Sequence, residues 1–143
     1  MSVILVRKKF VGDATFDKLK LWLIPVTIKT EQRKDTFNLL LDTGAQRTVI
    51  IPAVKEIMGL EVAPESVQGI GVTGKSQYFT ATVNLEIGTI QLLAQNVLVG
   101  SLPGVFSKYQ IAGILGADLL QLLFLKMDYP ERLLEIERTF VCS

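Results

Sequence analysis

Apolar and polar residues alternate along much of the chain, and this period of two is typical of half-buried β-strands. The alternation is clearest in the stretch 78–87, where Phe79, Ala81, Val83 and Leu85 would share one face. Shorter runs rich in β-branched and apolar residues predict further strands at 3–6, 21–28, 36–41, 48–51, 90–93, 95–99, 111–115, 123–129 and 132–136. Because Pro25 lacks an N–H group, the strand at 21–28 is expected at an edge or with a bulge.

Helical spacing is confined to two short segments. In the first, 52–60, Val54, Ile57 and Met58 would share an apolar face, and proline suits the first turn while glycine suits the stop. The second is expected directly after Gly116. The more polar segments 13–20 and 100–110 are interpreted as loops or turns.

One acidic residue stands where burial would normally exclude a carboxylate. Asp42 directly follows the apolar run 37–41, and Thr43, Gly44 and a second apolar run come after it. This order favours a polar site at a strand end, with Thr43 supplying a hydroxyl and Gly44 allowing close backbone approach. A plain turn has the same composition, so these residues alone leave both interpretations open.

Composition excludes several kinds of chemistry. The chain has no histidine, which removes Ser-His-Asp and Cys-His catalysis and most zinc sites. Its single cysteine, Cys142, has no partner for an intrachain disulfide. The net charge of +1 gives no long-range attraction to nucleic acid or to an anionic membrane, so neither is expected as a partner.

Length and hydrophobicity indicate one folded domain. The chain has 143 residues, of which 49% are hydrophobic and 20% are charged. No stretch reaches the length of a transmembrane helix, and the first nine residues lack the order typical of a secretory signal. We therefore expect a cytoplasmic protein in which 21–143 form the domain and 1–20 form an extension or a first strand.

A second distinctive stretch is rich in glycine and contains Gly69, Gly71 and Gly74. Gly69, Gly74, Lys75 and Ser76 also satisfy the spacing of a nucleotide phosphate-binding loop. That loop must open a helix, whereas the alternation that follows here predicts a strand. A glycine-rich β-hairpin is therefore the favoured interpretation.

Three motifs together resemble those of the retropepsin-like aspartic proteases, the single-domain, retroviral-type members of that class. The segment 40–45 (Leu-Leu-Asp-Thr-Gly-Ala) is similar to their catalytic motif, and 69–74 is similar to their flap. The segment 113–120 resembles their hydrophobic glycine-containing element and its helix. The resemblance covers roughly 21–136, and the order of the three motifs makes it specific.

The resemblance implies a fold, a partner and an activity. The fold is all-β and mainly antiparallel, a closed barrel equivalent to half of a pepsin, with one or two short helices. Because one Asp-Thr-Gly is present, the implied assembly is a homodimer in which each subunit contributes one Asp42 across a two-fold axis. The pair would activate a water that cleaves a peptide or protein substrate, without a metal or other cofactor.

The resemblance also assigns roles to residues. Thr43, Gly44 and Ala45 would support the active site, and the flap and substrate-binding residues would be Gly69, Ile70, Gly71, Val72, Thr73 and Gly74. The structural residues near the site would be Ile114, Leu115, Gly116 and Asp118, with Asp118 interpreted as a helix-start residue. The apolar character of Ala45, Ile70 and Val72 favours hydrophobic substrate side chains beside the scissile bond.

Two positions depart from the viral members of the family. The viral enzymes carry an ion pair between an Asp and an Arg where this chain has Gln46 and Ala117. Arg47 and Asp118 are available for a different network, which places the chain nearer to the cellular and bacterial members. A second function also stays open, a protease-like domain without turnover that serves as a dimerisation or peptide-binding module.

Overall fold

The computed structural model describes residues 2–71 and 74–140, and strands dominate this part of the chain. The strands are β1 (Ser2–Lys9), β2 (Leu23–Lys29), β3 (Lys34–Leu41), β4 (Val49–Ile50), β5 (Val67–Gly71), β6 (Gly74–Ile87), β7 (Ile90–Val99), β8 (Gly113–Leu115), β9 (Phe124–Asp128) and β10 (Leu133–Phe140). The helices are α1 (Ala14–Leu19), α2 (Pro52–Met58), α3 (Gly104–Lys108) and α4 (Ala117–Leu120). None of the helices in these described residues is long and apolar enough to cross a membrane.

Six strands close into a barrel. Their order is β2-β3-β8-β4-β7-β6, and β6 pairs back onto β2 at 27–29. The β3–β8 and β4–β7 pairs are parallel, while the remaining pairs of the barrel are antiparallel. Closure leaves the barrel without a free edge along the paired segments. The predicted fold, an all-β and mainly antiparallel closed barrel, is confirmed.

The alternation seen in the sequence directs one set of side chains into the barrel. Ile24, Val26 and Ile28 of β2 are buried, and alternate residues of β6 are buried as well, with Leu85 opposite Ile28. Pro25 is exposed and lies outside the part of β2 that pairs with β6. β2 as a whole is therefore not an edge strand, but its first half, which contains Pro25, pairs only with β3 among the described strands.

The two ends of the described chain form a second sheet, called here the chain-end sheet, with the order β1-β10-β9. β1 pairs with β10 along its whole length, from Ser2 opposite Phe140 to Lys9 opposite Leu133. Leu134 and Ile136 of β10 are each 1% exposed and belong to the same hydrophobic core as the barrel strands. The chain-end sheet is therefore packed onto the barrel by apolar burial.

An aromatic cluster connects the chain-end sheet to the strand that precedes Asp42. The ring of Trp22 meets those of Phe10 and Tyr129 edge-on, each at a centroid distance of 5.0 Å. The Trp22 carbonyl accepts a hydrogen bond of 2.9 Å from the N–H group of Leu41. Trp22 is thus a core residue, and it supports the end of β3 directly.

Two helices lie where loops were expected, so the prediction of only one or two short helices was wrong. α1 begins at Asp13, whose Oδ1 accepts from the N–H of Phe16 at 2.9 Å, and it ends at Lys20 in the left-handed region. Phe16 is the buried residue of α1, and α3 buries none of its residues. Helices this short, with at most one inward side chain, leave no helical period in the sequence.

Two further details differ from the expectations. In α2, Val54 and Met58 are buried but Ile57 is 45% exposed, because a seven-residue helix presents only a narrow stripe to the core. The expected strands at 90–93 and 95–99 are one strand, β7, interrupted by Ala94 with φ +54°. The Ala94 N–H donates to Oδ1 of Asn84 at 2.8 Å, so this N–H has a partner where the pairing of β6 with β7 is irregular.

Candidate active site

Asp42 stands at the first position after β3, where the backbone turns out of the barrel. Its N–H donates to the Leu115 carbonyl at 3.0 Å, so the parallel pairing of β3 with β8 extends to the acidic residue itself. Its carbonyl accepts from the N–H of Ala45 at 3.2 Å, and its Oδ1 accepts from the N–H of Gly44 at 3.0 Å. The carboxylate is therefore held in one orientation by the backbone of its own turn.

The face of this turn that carries Thr43 is open to solvent. Asp42 is half-buried, whereas Thr43 and Gly44 are exposed. Among the described residues, no basic side chain forms an ion pair with Asp42, and the Thr43 hydroxyl has no hydrogen-bond partner. A strained backbone does not explain the glycine, because Gly44 is not among the residues with positive φ.

The predicted structural element 114–118 lies directly behind the turn. Leu41 pairs with Leu115, which is fully buried, and the next residue is Gly116. A Cβ atom on Gly116 would stand 2.5 Å from the carbonyl carbon of Arg47 and 3.0 Å from the carbonyl oxygen of Ala45. Glycine is required here because two backbone segments pass too close for any side chain.

Backbone hydrogen bonds join the loop 42–48, which follows β3, to the start of α4. The N–H of Ala117 donates to the Ala45 carbonyl at 2.7 Å, and the N–H of Asp118 donates to the Gln46 carbonyl at 3.1 Å. Gln46 and Ala117, the two positions that depart from the viral pattern, thus lie in adjoining backbone segments, and each bonds to a neighbour of the other. Asp118 lies in the first turn of α4, in agreement with its expected place at a helix start.

A polar network replaces the missing viral ion pair. Oδ2 of Asp118 accepts from Nε of Arg47 at 3.3 Å, and both carboxylate oxygens accept from the N–H of Thr48, at 2.9 and 3.0 Å. The Thr48 hydroxyl donates to Oδ1 of Asp118 at 2.8 Å and accepts from the N–H of Gly116 at 3.0 Å. The expected alternative network between Arg47 and Asp118 is present in this form.

Thr48 is the residue of this site that sequence reasoning missed. It is fully buried, and it is the only buried polar or charged side chain in the described part of the chain. Its hydroxyl bonds both the N–H of Gly116 and the carboxylate of Asp118, and a buried polar group requires such partners. The one available signal was a hydroxyl residue at the start of the apolar run 48–51, which is ambiguous because threonine is also common in strands.

The glycine-rich stretch is a hairpin of β5 and β6. The two strands pair antiparallel from Val67 opposite Tyr78 to Gly71 opposite Gly74. Val72 and Thr73, predicted at its tip, lie outside the described residues. Because a strand follows Gly74, a phosphate-binding loop is ruled out and the hairpin interpretation is confirmed.

The structure brings together some of the predicted site residues and leaves others apart. Asp42, Ala45 and the element 114–118 are joined by the hydrogen bonds described above. Among the described residues, no hydrogen bond or ion pair joins the β5–β6 hairpin to the turn. No cluster of three or more acidic or cysteine side chains that could hold a metal ion is present in the described residues.

Comparisons with known proteins agree with this geometry. The family model described as aspartyl protease matches residues 24–119. A search of curated protein sequences finds no match. A retropepsin-like aspartic protease from Rickettsia conorii has a similar structure, with a TM-score of 0.62 and 15% sequence identity over 96% of this chain and 93% of that chain.

A second solved structure shows the same fold. The retroviral protease-like domain of Ddi1 from Leishmania major matches with a TM-score of 0.53 and 16% identity, over 77% of this chain and 82% of that chain. At these identities the two structures establish the fold alone. The matched family model spans Asp42, the hairpin and the element 114–118, and on that basis the chain belongs to the aspartyl protease family.

Proposed function

We propose that this protein is a homodimeric aspartic endopeptidase, in which two Asp42 carboxylates, one from each subunit, form the catalytic pair. The observation that carries the proposal is the turn at 42–45. It orients one carboxylate by backbone hydrogen bonds and leaves Thr43 and Gly44 exposed beside it. A two-fold axis would complete this half-site, because it places the exposed patch of one subunit against the same patch of the other.

The proposed chemistry needs only the two carboxylates and a water. Two adjacent carboxylates share one proton, because a second negative charge close to the first is unfavourable. The ionised Asp42 takes a proton from the water as its oxygen attacks the carbonyl carbon of the peptide bond. The protonated Asp42 of the partner subunit donates a hydrogen bond to the carbonyl oxygen. A proton then passes to the nitrogen, the C–N bond breaks, and a carboxyl and an amine are released.

The other predicted site residues would act around this pair. The exposed Thr43 hydroxyl would bond across the two-fold axis and hold the two turns together. The hairpin of β5 and β6, with 69–74 at its end, would close over the substrate and exclude water. The apolar character of Ala45, Ile70 and Val72 supports hydrophobic side chains on either side of the scissile bond.

Cleavage of a peptide library at mildly acidic pH, followed by mass spectrometry, tests the activity. Asp42→Asn should lower the rate by about 10²-fold or more, because an amide is neither a base nor an acid in this reaction. Asp35→Asn is the matched control, since Asp35 lies at the opposite end of β3 from Asp42, is exposed and accepts from the next N–H at 2.8 Å. It should cleave like the wild type.

The outcomes separate the two candidate functions. Equal cleavage by the wild type and by Asp42→Asn would contradict the mechanism. Inactivity of the folded wild type on every peptide would contradict the endopeptidase and favour a protease-like module without turnover. Charged residues dominating both positions beside the cleaved bond would contradict the expected hydrophobic preference.

A further inference from the structure

We infer that Asp118 is a positioning residue of the active site, whose carboxylate fixes the loop that carries Asp42. The inference rests on the proposed function for its catalytic consequence, but its structural part stands on the protomer alone. In the described part of the chain no hydrogen bond joins Asp118 to Asp42. It acts through Thr48 and Arg47, which end the loop that Asp42 begins.

Four donor groups converge on the carboxylate of Asp118. Asp118 accepts from the N–H and the hydroxyl of Thr48, from Nε of Arg47 and from the N–H of Leu119 at 2.9 Å. Its side chain is 19% exposed, so these bonds are partly shielded from water. Several charge-assisted hydrogen bonds on one shielded carboxylate form a stronger restraint than a single surface ion pair.

Hydrogen bonds connect Asp118 to the turn through Thr48 and the segment 115–116. The Thr48 hydroxyl, which Asp118 holds, accepts from the N–H of Gly116. Gly116 is the residue that follows Leu115, and the Leu115 carbonyl accepts from the N–H of Asp42. Both ends of the loop 42–48 are therefore fixed to the short segment 115–118.

The restraint requires a carboxylate at position 118 rather than any polar side chain. Oδ1 of Asp118 accepts from the Thr48 hydroxyl and the Leu119 N–H, Oδ2 accepts from Nε of Arg47, and the Thr48 N–H is shared between the two oxygens. All of these groups point a proton at the carboxylate. An asparagine would turn its NH₂ group toward one such set, so donors would face donors. Asp118→Asn keeps the size of the side chain and removes this match.

A displaced loop would lower the activity of a shared active site. Each Asp42 must lie close enough to the other Asp42 that both can form hydrogen bonds with the same water. A small displacement of reacting groups lowers rates strongly. Asp118→Asn is expected to lower kcat by about 10-fold or more and to change KM by less than about 2-fold. Weaker coupling of the two Asp42 carboxylates should also narrow the bell-shaped pH profile of kcat, since coupling is what separates their two titrations.

The experiment compares the wild type, Asp118→Asn and Glu86→Gln at a temperature where all three are folded. Glu86 is a matched control because its side chain is 17% exposed and pairs with Lys29 on the barrel wall, close to the 19% exposure of Asp118. The readouts are kcat, KM, the pH profile and amide hydrogen exchange. In Asp118→Asn, exchange of the Asp42 and Ala117 amides should be faster, while amides of the chain-end sheet should be unchanged.

Each outcome decides the inference. A lower kcat with a narrowed pH profile and faster exchange at Asp42 supports it, whereas unchanged kcat and unchanged exchange in folded Asp118→Asn overturn it. If the wild type does not cleave, the proposed function fails and the exchange rates alone decide the positioning role. If Asp118→Asn does not fold, Arg47→Gln takes its place, with an expected fall in kcat of about 3-fold. An unchanged kcat in that variant would then overturn the inference.

Discussion

The loop 42–48 and the chain-end sheet are both fixed to the barrel, but by different means. The chain-end sheet is held by a continuous ladder between β1 and β10 and by buried side chains such as Leu134 and Ile136. The loop instead depends on a few polar atoms, with Thr48 at its end bonded to Asp118 of α4, and with Gly116 behind it. Burial tolerates exchange between apolar residues, whereas a hydrogen-bonded network and a close backbone approach tolerate few substitutions.

The largest effect is expected from Gly116→Ala. The added methyl group would overlap the backbone of Arg47 at 2.5 Å, which neither segment can relieve without moving the loop. We expect a loss of about 3 kcal/mol in the free energy of unfolding, measured by urea denaturation. Gly104→Ala is the control, because a Cβ there meets nothing within 4 Å and α3 gains a better helix former. Equal stability of the two variants would show that the backbone contact at Gly116 is not a constraint.

A smaller effect is expected from Thr48→Val. The substitution keeps the shape of the side chain but leaves the buried N–H of Gly116 without a partner, at a cost of about 1–3 kcal/mol. Thr27→Val is the control, because it removes a hydrogen bond of 2.8 Å to the Thr36 hydroxyl on an exposed face. We expect its free energy of unfolding to change by no more than about 0.5 kcal/mol. Denaturation of the two variants measures the difference. A similar loss in both would contradict the special role of the loop network.

The smallest effect is expected on the pH dependence of the free energy of unfolding, through Glu86. The hydrogen bond from Lys29 holds the pKa of Glu86 below its ordinary value of 4.5. A lowered pKa in the folded state means that this contribution to stability is present above about pH 4.5 and is lost as the pH falls through the folded-state pKa. The difference in unfolding free energy between the wild type and Glu86→Gln should therefore shrink on acidification. A difference that grows toward low pH would contradict this sign.

The sequence predicted the barrel well because its strands bury alternate residues. Ile24, Val26 and Ile28 show the period directly, and Gly59 marks the end of α2 with a left-handed backbone. The helices α1 and α3 were missed because they bury one side chain and none, so no helical period exists to detect. The cap Asp13 stabilises α1 by a local hydrogen bond, but alone it is a weak signal because Asp is also common in turns.

The candidate site was predictable in its motifs and only partly in its connections. Asp42, Gly116 and the pair Arg47 and Asp118 could be named in advance, since motifs place them in order along the chain. The role of Thr48 could not, because its two hydrogen bonds join residues 68 and 70 positions away. Such long-range polar contacts leave no local period or spacing in a single sequence.

The central claim is that each active site needs one Asp42 from each of two chains, and mixing tests it most directly. Wild type and Asp42→Asn are combined at a fixed total concentration, well above that needed for dimerisation, and allowed to exchange subunits. Cleavage should then follow the square of the wild-type fraction, so that an equal mixture retains about a quarter of the activity. Activity that falls in simple proportion, to about half in the equal mixture, would mean that one chain holds a complete site.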